Sequence, residues 1–99
     1  LLDALTKAEE DGRRIAAICA APGVVLGRHG FLKGRTATCF PGFEKEFQGG
    51  EYTSQGVITD GNITTARGLG FAIDLGIELV RLLKGDEAAE YVKGKIQYR

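Results

Sequence analysis

The stretch Ile15-Ala16-Ala17-Ile18-Cys19-Ala20-Ala21-Pro22 decides how this chain is read: an apolar run stops on a cysteine, and small residues lead into a helix. A short run rich in β-branched residues and alanine, bounded by Arg13-Arg14, reads as a buried strand of a parallel sheet over residues 14 to 18. The bend after it is crowded, so two alanines suit it, and Pro22 suits the first turn of the next helix. Cys19 then stands at the carboxyl edge of the sheet and at a helix N-terminus, where unpaired N–H groups and the helix dipole favour a thiolate. Strand, cysteine, small residues and helix are the parts of a nucleophile turn, and Cys19 is the candidate nucleophile. The competing reading is a buried packing cysteine, since free cysteine is among the most buried residue types.

Working outward, residues 1 to 11 form an amphipathic helix with Leu1, Leu2, Leu5 and Ala8 on one face and Gly12 as its stop. A helix is predicted from Ala20 to Arg28, and a second apolar run, Thr36 to Phe40, follows Lys33-Gly34. These form a β-α-β unit whose parallel strands end in Cys19 and Cys39 on the same sheet edge. Tyr52 to Thr59 and Asn62 to Ala66 flank Asp60-Gly61, a strong hairpin signal. Phe71 to Lys84 reads as a helix with a polar stripe of Asp74, Glu78 and Arg81, otherwise buried against the sheet. Gly85 ends it, and Asp86 caps a last helix from 87 to about 95. The whole is one α/β domain over residues 1–99 with a mostly parallel sheet plus a β-hairpin.

Composition narrows the function. The chain has 99 residues, 43% hydrophobic and 26% charged, which suits one small folded core. Thirteen basic residues balance thirteen acidic ones, so the one-sided charge of a nucleic-acid or membrane-surface binder is absent. No apolar run approaches the roughly 20 residues that span a bilayer. Two cysteines without a dense framework fit a reducing compartment, and a cytoplasmic location is expected. Two cysteines and one histidine also fall short of the four ligands of a zinc site, so a bound metal is not expected.

A cysteine nucleophile needs a base or a stabilising donor. His29 ends the helix that Cys19 begins, on the order of 15 Å away at about 1.5 Å per residue, so a Cys-His pair within this chain is excluded. Cys39 has two readings: a neighbouring thiol that tunes or resolves an oxidised Cys19, or a packing residue. Arg67, before Gly68 and Gly70 at a helix start, either holds a carboxylate, phosphate or oxidised sulfur or bridges to a neighbouring loop. Phe40, Phe43 and Phe47 either wall a pocket near Cys39 or anchor their loop. The Gly-x-Gly alone is no dinucleotide fingerprint.

Three motifs, Ala16-Ala17-Ile18-Cys19-Ala20-Ala21-Pro22, Ala37-Thr38-Cys39-Phe40-Pro41-Gly42-Phe43-Glu44 and Asp60-Gly61-Asn62-Ile63-Thr64-Thr65-Ala66-Arg67-Gly68, resemble the PfpI/ThiJ superfamily, which includes the Parkinson-disease protein deglycases. The resemblance implies a flavodoxin-like layered sandwich related to class I glutamine amidotransferases, usually homodimeric, with Cys19 reactive and the Ala20 N–H as one oxyanion donor. Arg67 matches an arginine near the pocket and the dimer contact in relatives.

Implied activities are cofactor-free glyoxalase or deglycase chemistry on small reactive carbonyls, a redox-sensing or chaperone role in which Cys19 oxidises to the sulfinate, and peptidase activity; some members carry thiazole-monophosphate biosynthesis names. Two departures stand out: Cys39 where many relatives have a histidine, and Leu69 in place of a proline. The family's acid/base glutamate and second oxyanion donor precede Leu1. The expectation is therefore that residues 1–99 are the C-terminal half of a domain that works with its N-terminal half.

Overall fold

The computed structural model describes residues 1–98. Helix α1, Leu2–Glu10, lays Leu5 and Ala8 on the core and stops where Gly12 takes φ 69°. Strand β1, Ile15–Ile18, follows at once. Its neighbour is the last strand of the chain, β5 (Ile63–Ala66), parallel, with Ile15 opposite Ile63 and Ile18 opposite Ala66. Strand β4, Val57–Asp60, pairs antiparallel on the other side of β5, giving the order β1-β5-β4. All four β5 residues are buried, as the centre of a sheet requires.

The hairpin expected from Asp60-Gly61 forms one residue along. Asp60 pairs with Ile63, and the two-residue loop is Gly61-Asn62, with Gly61 at φ 63° in its first position. The loop is clasped to α1: Asn62 donates to Glu9 Oε1 at 2.9 Å, and Arg35 spans Asn62 Oδ1 at 2.6 Å and Glu9 Oε2 at 3.1 Å.

Three expectations are corrected. The run Thr36 to Phe40 is a strand only at β2, Thr36–Ala37, and it pairs with β3, Glu51–Tyr52, in a separate two-stranded parallel sheet rather than with β1. The cause is visible in its donors: the Thr36 N–H goes to Asp60 Oδ2 at 2.7 Å and the Thr38 N–H to Thr65 Oγ1 at 2.9 Å. Side chains of the hairpin have taken the groups a ladder with β1 would use.

The α-helix expected from Ala20 to Arg28 is instead a wide π-type helix, Pro22–Gly27, closed by Arg28 N–H to Gly23 O at 2.9 Å. Two glycines and two valines make this segment a weak α-helix former. Finally, α2 (Ala72–Lys84) is not mostly buried. Ile77 alone is fully covered, Ile73 and Leu83 stand 60% and 67% exposed, and the polar stripe itself meets the sheet, with Thr59 Oγ1 donating to Glu78 Oε2 at 2.7 Å. Helix α3, Asp86–Lys95, packs back on α2.

The core consists of Ile15, Leu26, Leu32, Ala37, Cys39, Phe47 and Ile63, so the π-type helix and the 36 to 47 segment close over β1 and β5. No described helix is long and apolar enough to cross a membrane.

A strained cysteine at the candidate functional site

Cys19 is the first residue past β1 and sits at φ 65°, in the left-handed region that non-glycine residues rarely enter. Its backbone is held on both sides. The Cys19 N–H donates to Ala66 O at 3.0 Å, extending the β1–β5 ladder, and its C=O accepts the Phe40 N–H at 2.7 Å. The next carbonyl, of Ala20, receives the Gly23 and Val24 N–H groups at 3.0 and 2.9 Å and so starts the helix. Strand pairing and helix initiation thus force the turn between them into one residue, and that residue bears the thiol. A strained strand-to-helix residue of this kind lifts its side chain clear of the sheet edge. Cys19 is half-buried. The Ala20 N–H finds no acceptor among the described residues, so a donor is available beside the sulfur.

Cys39 reaches Cys19 by a route other than the expected strand pairing. It precedes Phe40, whose N–H is bonded to the Cys19 carbonyl, and it is completely buried in the core. Burial first, and the negative charge of Glu44 second, push the Cys39 thiol from 9.0 up to about 11, with the Phe43 backbone pulling the other way and Cys19 adding a small upward push. Glu44, for its part, is half-buried; its own backbone N–H and that of Gly42, the latter at 2.7 Å, stabilise its carboxylate and hold it below the usual carboxylate range. Next to Cys39, the Thr38 Oγ1 is buried with no hydrogen-bond partner among the described residues.

A chemical test of this environment follows. At pH 8, iodoacetamide is expected to alkylate Cys19 while Cys39 stays unmodified, as read by mass spectrometry of the tryptic peptides. Equal labelling of the two would contradict the burial. The sign of the linkage is also fixed: a thiol held protonated stabilises the fold fully below pH 9, and that contribution falls by about 1 kcal/mol per pH unit as pH rises towards about 11.

Arg67 lies at the end of β5, half-buried, with its N–H on Gly56 O at 2.9 Å and Nη1 on Ser54 O at 3.2 Å. It bridges to a neighbouring loop through a carbonyl rather than an ion pair. Phe40 and Arg67 line one hollow together with Pro41, Leu69 and Phe71. Phe43 touches Phe40 edge to face at 6.4 Å, and Phe47 is in the core, so these two anchor their loop. His29 is exposed beyond the π-type helix. Among the described residues, no three His, Cys, Asp or Glu side chains converge on a metal position.

The sequence reading missed the Thr38–Thr65 bond and the exposure of Leu69, 87% open to solvent. Only the unusual Leu between two glycines signalled the second.

A family model described as DJ-1/PfpI family matches residues 1–82. The chain belongs to the DJ-1/PfpI family. It is 40% identical over 94 residues to "Protein DJ-1 homolog B" of Arabidopsis thaliana, covering 94% of this chain and 22% of that protein. Over 79 residues it is 32% identical to "Glutathione-independent glyoxalase DJR-1.2" of Caenorhabditis elegans, covering 79% of this chain and 42% of the other. The solved structure of Drosophila melanogaster DJ-1beta superposes with a TM-score of 0.90 at 33% identity, over 98% of this chain and 53% of that one. The chain therefore spans about half or less of the length of these DJ-1/PfpI relatives, and its α/β layering is that of half of their flavodoxin-like domain.

Proposed function

We propose that Cys19 is the nucleophile of a cofactor-free glyoxalase acting on small 2-oxoaldehydes. The left-handed backbone of Cys19 at the strand-to-helix junction carries this reading, because such strain is kept where a side chain must be presented to a substrate. The family relative named as a glutathione-independent glyoxalase supports the choice of chemistry.

In this mechanism the Cys19 thiolate adds to the aldehyde carbon, and the oxygen of the hemithioacetal faces the Ala20 N–H. A base removes the C1 proton to give an enediol, a proton returns at C2, and the hydroxyl proton of the C1 oxygen passes to the C2 oxygen, which oxidises the aldehyde carbon and reduces the ketone within one molecule. Water cleaves the resulting thioester, returning the thiol and releasing a 2-hydroxy carboxylate. No external oxidant or reductant enters. Glu44 is a poor base for the proton transfer, being held below the usual carboxylate range and turned to the Gly42 N–H. As the family resemblance implies, we assign the base to a glutamate outside residues 1–99.

The test is lactate formation from methylglyoxal by the intact protein without glutathione. Turnover is expected; none above the uncatalysed rate overturns the reading.

A further inference from the structure

We infer that Thr65 is a positioning residue for the Cys19 thiol: its hydroxyl oxygen holds in place the segment that grips the Cys19 carbonyl. This rests on the reading of Cys19 as the nucleophile and adds to that site a residue that acts on it through the backbone.

The bonds around Cys19 close into a ring. The Cys19 N–H donates to Ala66 O at 3.0 Å, and the residue before Ala66 on β5 is Thr65. Thr65 Oγ1 accepts the Thr38 N–H at 2.9 Å, and two residues further along that segment the Phe40 N–H donates to Cys19 O at 2.7 Å. Both backbone groups of the left-handed residue are therefore tied to adjacent residues of the central strand, one directly through Ala66 and the other through Thr65 by way of residues 38 to 40.

A single link in this ring is made by a side chain. Strand β2 ends at Ala37 and pairs with β3, so no ladder with β1 holds residues 38 to 40 against the Cys19 turn. Thr65 stands opposite Ala17 of β1, and its hydroxyl takes the place of that ladder. The link is dry: Thr38 and Cys39 are fully buried and Thr65 is 1% exposed, so water does not replace the acceptor once it is removed. A buried N–H left unpaired is costly, and residues 38 to 40 relieve the cost by shifting, which frees the Cys19 carbonyl. A nucleophile misplaced by about 1 Å loses up to about a hundredfold in rate. Thr64, the preceding residue, is just as buried, but it faces the other side of the sheet, where its hydroxyl meets Thr59 Oγ1 at 2.8 Å outside the ring.

The experiment compares the intact wild-type protein with Thr65→Val, Thr65→Ser and Thr64→Val, reading amide hydrogen exchange at Phe40 and steady-state kinetics with methylglyoxal. Valine at 65 keeps the shape of threonine and removes the acceptor. Exchange of the Phe40 N–H is expected to quicken about tenfold or more, and kcat to fall about tenfold or more with KM within about twofold, because the substrate still binds and the thiol is misplaced. Thr65→Ser keeps the oxygen, and both readouts are expected within about threefold of wild type. Thr64→Val removes a buried hydroxyl from the same strand and is expected to move neither. Should Thr65→Val fail to fold, Thr65→Ala against Thr65→Ser makes the same comparison, since those two differ by the oxygen alone.

A wild-type kcat in Thr65→Val overturns the inference and leaves the glyoxalase reading standing, as does an equal fall in Thr64→Val or in Thr65→Ser. If the wild type turns over no methylglyoxal, the glyoxalase reading falls and exchange alone decides this inference. Faster exchange at Phe40 in Thr65→Val but not in Thr64→Val then supports Thr65 as the residue that holds Cys19, and equal exchange in the two overturns it.

Discussion

Replacing Cys19 by alanine and by glycine is expected to abolish the proposed glyoxalase turnover equally, by about a thousandfold or more, while separating the two variants in stability. In the proposed mechanism the loss of activity follows from removal of the sulfur that adds to the aldehyde. The stability difference follows from the backbone. At φ 65°, alanine keeps the clash between Cβ and the neighbouring carbonyl that cysteine suffers, whereas glycine has no Cβ and sheds it.

The relief is about 1 to 2 kcal/mol, offset in part by the larger entropy glycine loses on folding, which leaves the glycine variant ahead by about 1 kcal/mol. The glycine variant should melt a few degrees above the alanine variant in calorimetry. If the two melt together, Cys19 is not strained and the geometric support for its role is gone. If either still converts methylglyoxal to lactate at the wild-type rate, another group is the nucleophile.

That strained residue was legible in the sequence because its causes are local. An apolar run, a cysteine, small residues and Pro22 locate a strand, a bend and a helix start within eight residues, and both ladder and helix then meet at Cys19. The hairpin was legible for the same reason, its turn being set by Gly61. Strand neighbours were harder to read. Nothing near Thr36 shows that Asp60 and Thr65, more than twenty residues on, capture the N–H groups of Thr36 and Thr38 and turn that strand away from β1.

Helix α2 misled through its composition. So many apolar positions predict a covered helix, yet Thr59 draws Glu78 to the sheet and leaves Ile73 and Leu83 outside. The site divided in the same way: Cys19 and its neighbours came from local spacing, while the pairing of Phe40 and Arg67 around one hollow depends on two hydrogen bonds to Cys19 from distant segments.

Gly27→Ala and Gly76→Ala are expected to change stability in opposite directions, although helix propensity predicts that both stabilise. Gly76 lies exposed in α2 with nothing within 4 Å of an added Cβ, so alanine there gains up to about 1 kcal/mol from propensity and from a less flexible unfolded chain. Gly27 is buried in the π-type helix, and a Cβ there would come 2.6 Å from Glu46 O and 3.1 Å from Phe47 Cδ1.

The obstacle at Gly27 is backbone, fixed by the Phe43 to Phe47 turn and by the Arg28–Glu46 ion pair at 3.2 Å, so no rotamer change clears it. Gly23, one turn earlier on the same face, meets Phe43 O at 2.5 Å in the same way. Moving the helix away is the remaining response, at a cost of about 1 to 3 kcal/mol, occasionally more. Because the Gly23 and Val24 N–H groups are bonded to Ala20 O, that displacement also shifts the donor beside the Cys19 sulfur, and turnover should fall together with melting temperature. Thermal melts and methylglyoxal kinetics on Gly27→Ala and Gly76→Ala measure both effects. Stabilisation of the Gly27 variant would show that the helix is free of the 43 to 47 segment, and a fall in stability without a fall in turnover would show that the helix does not position the site.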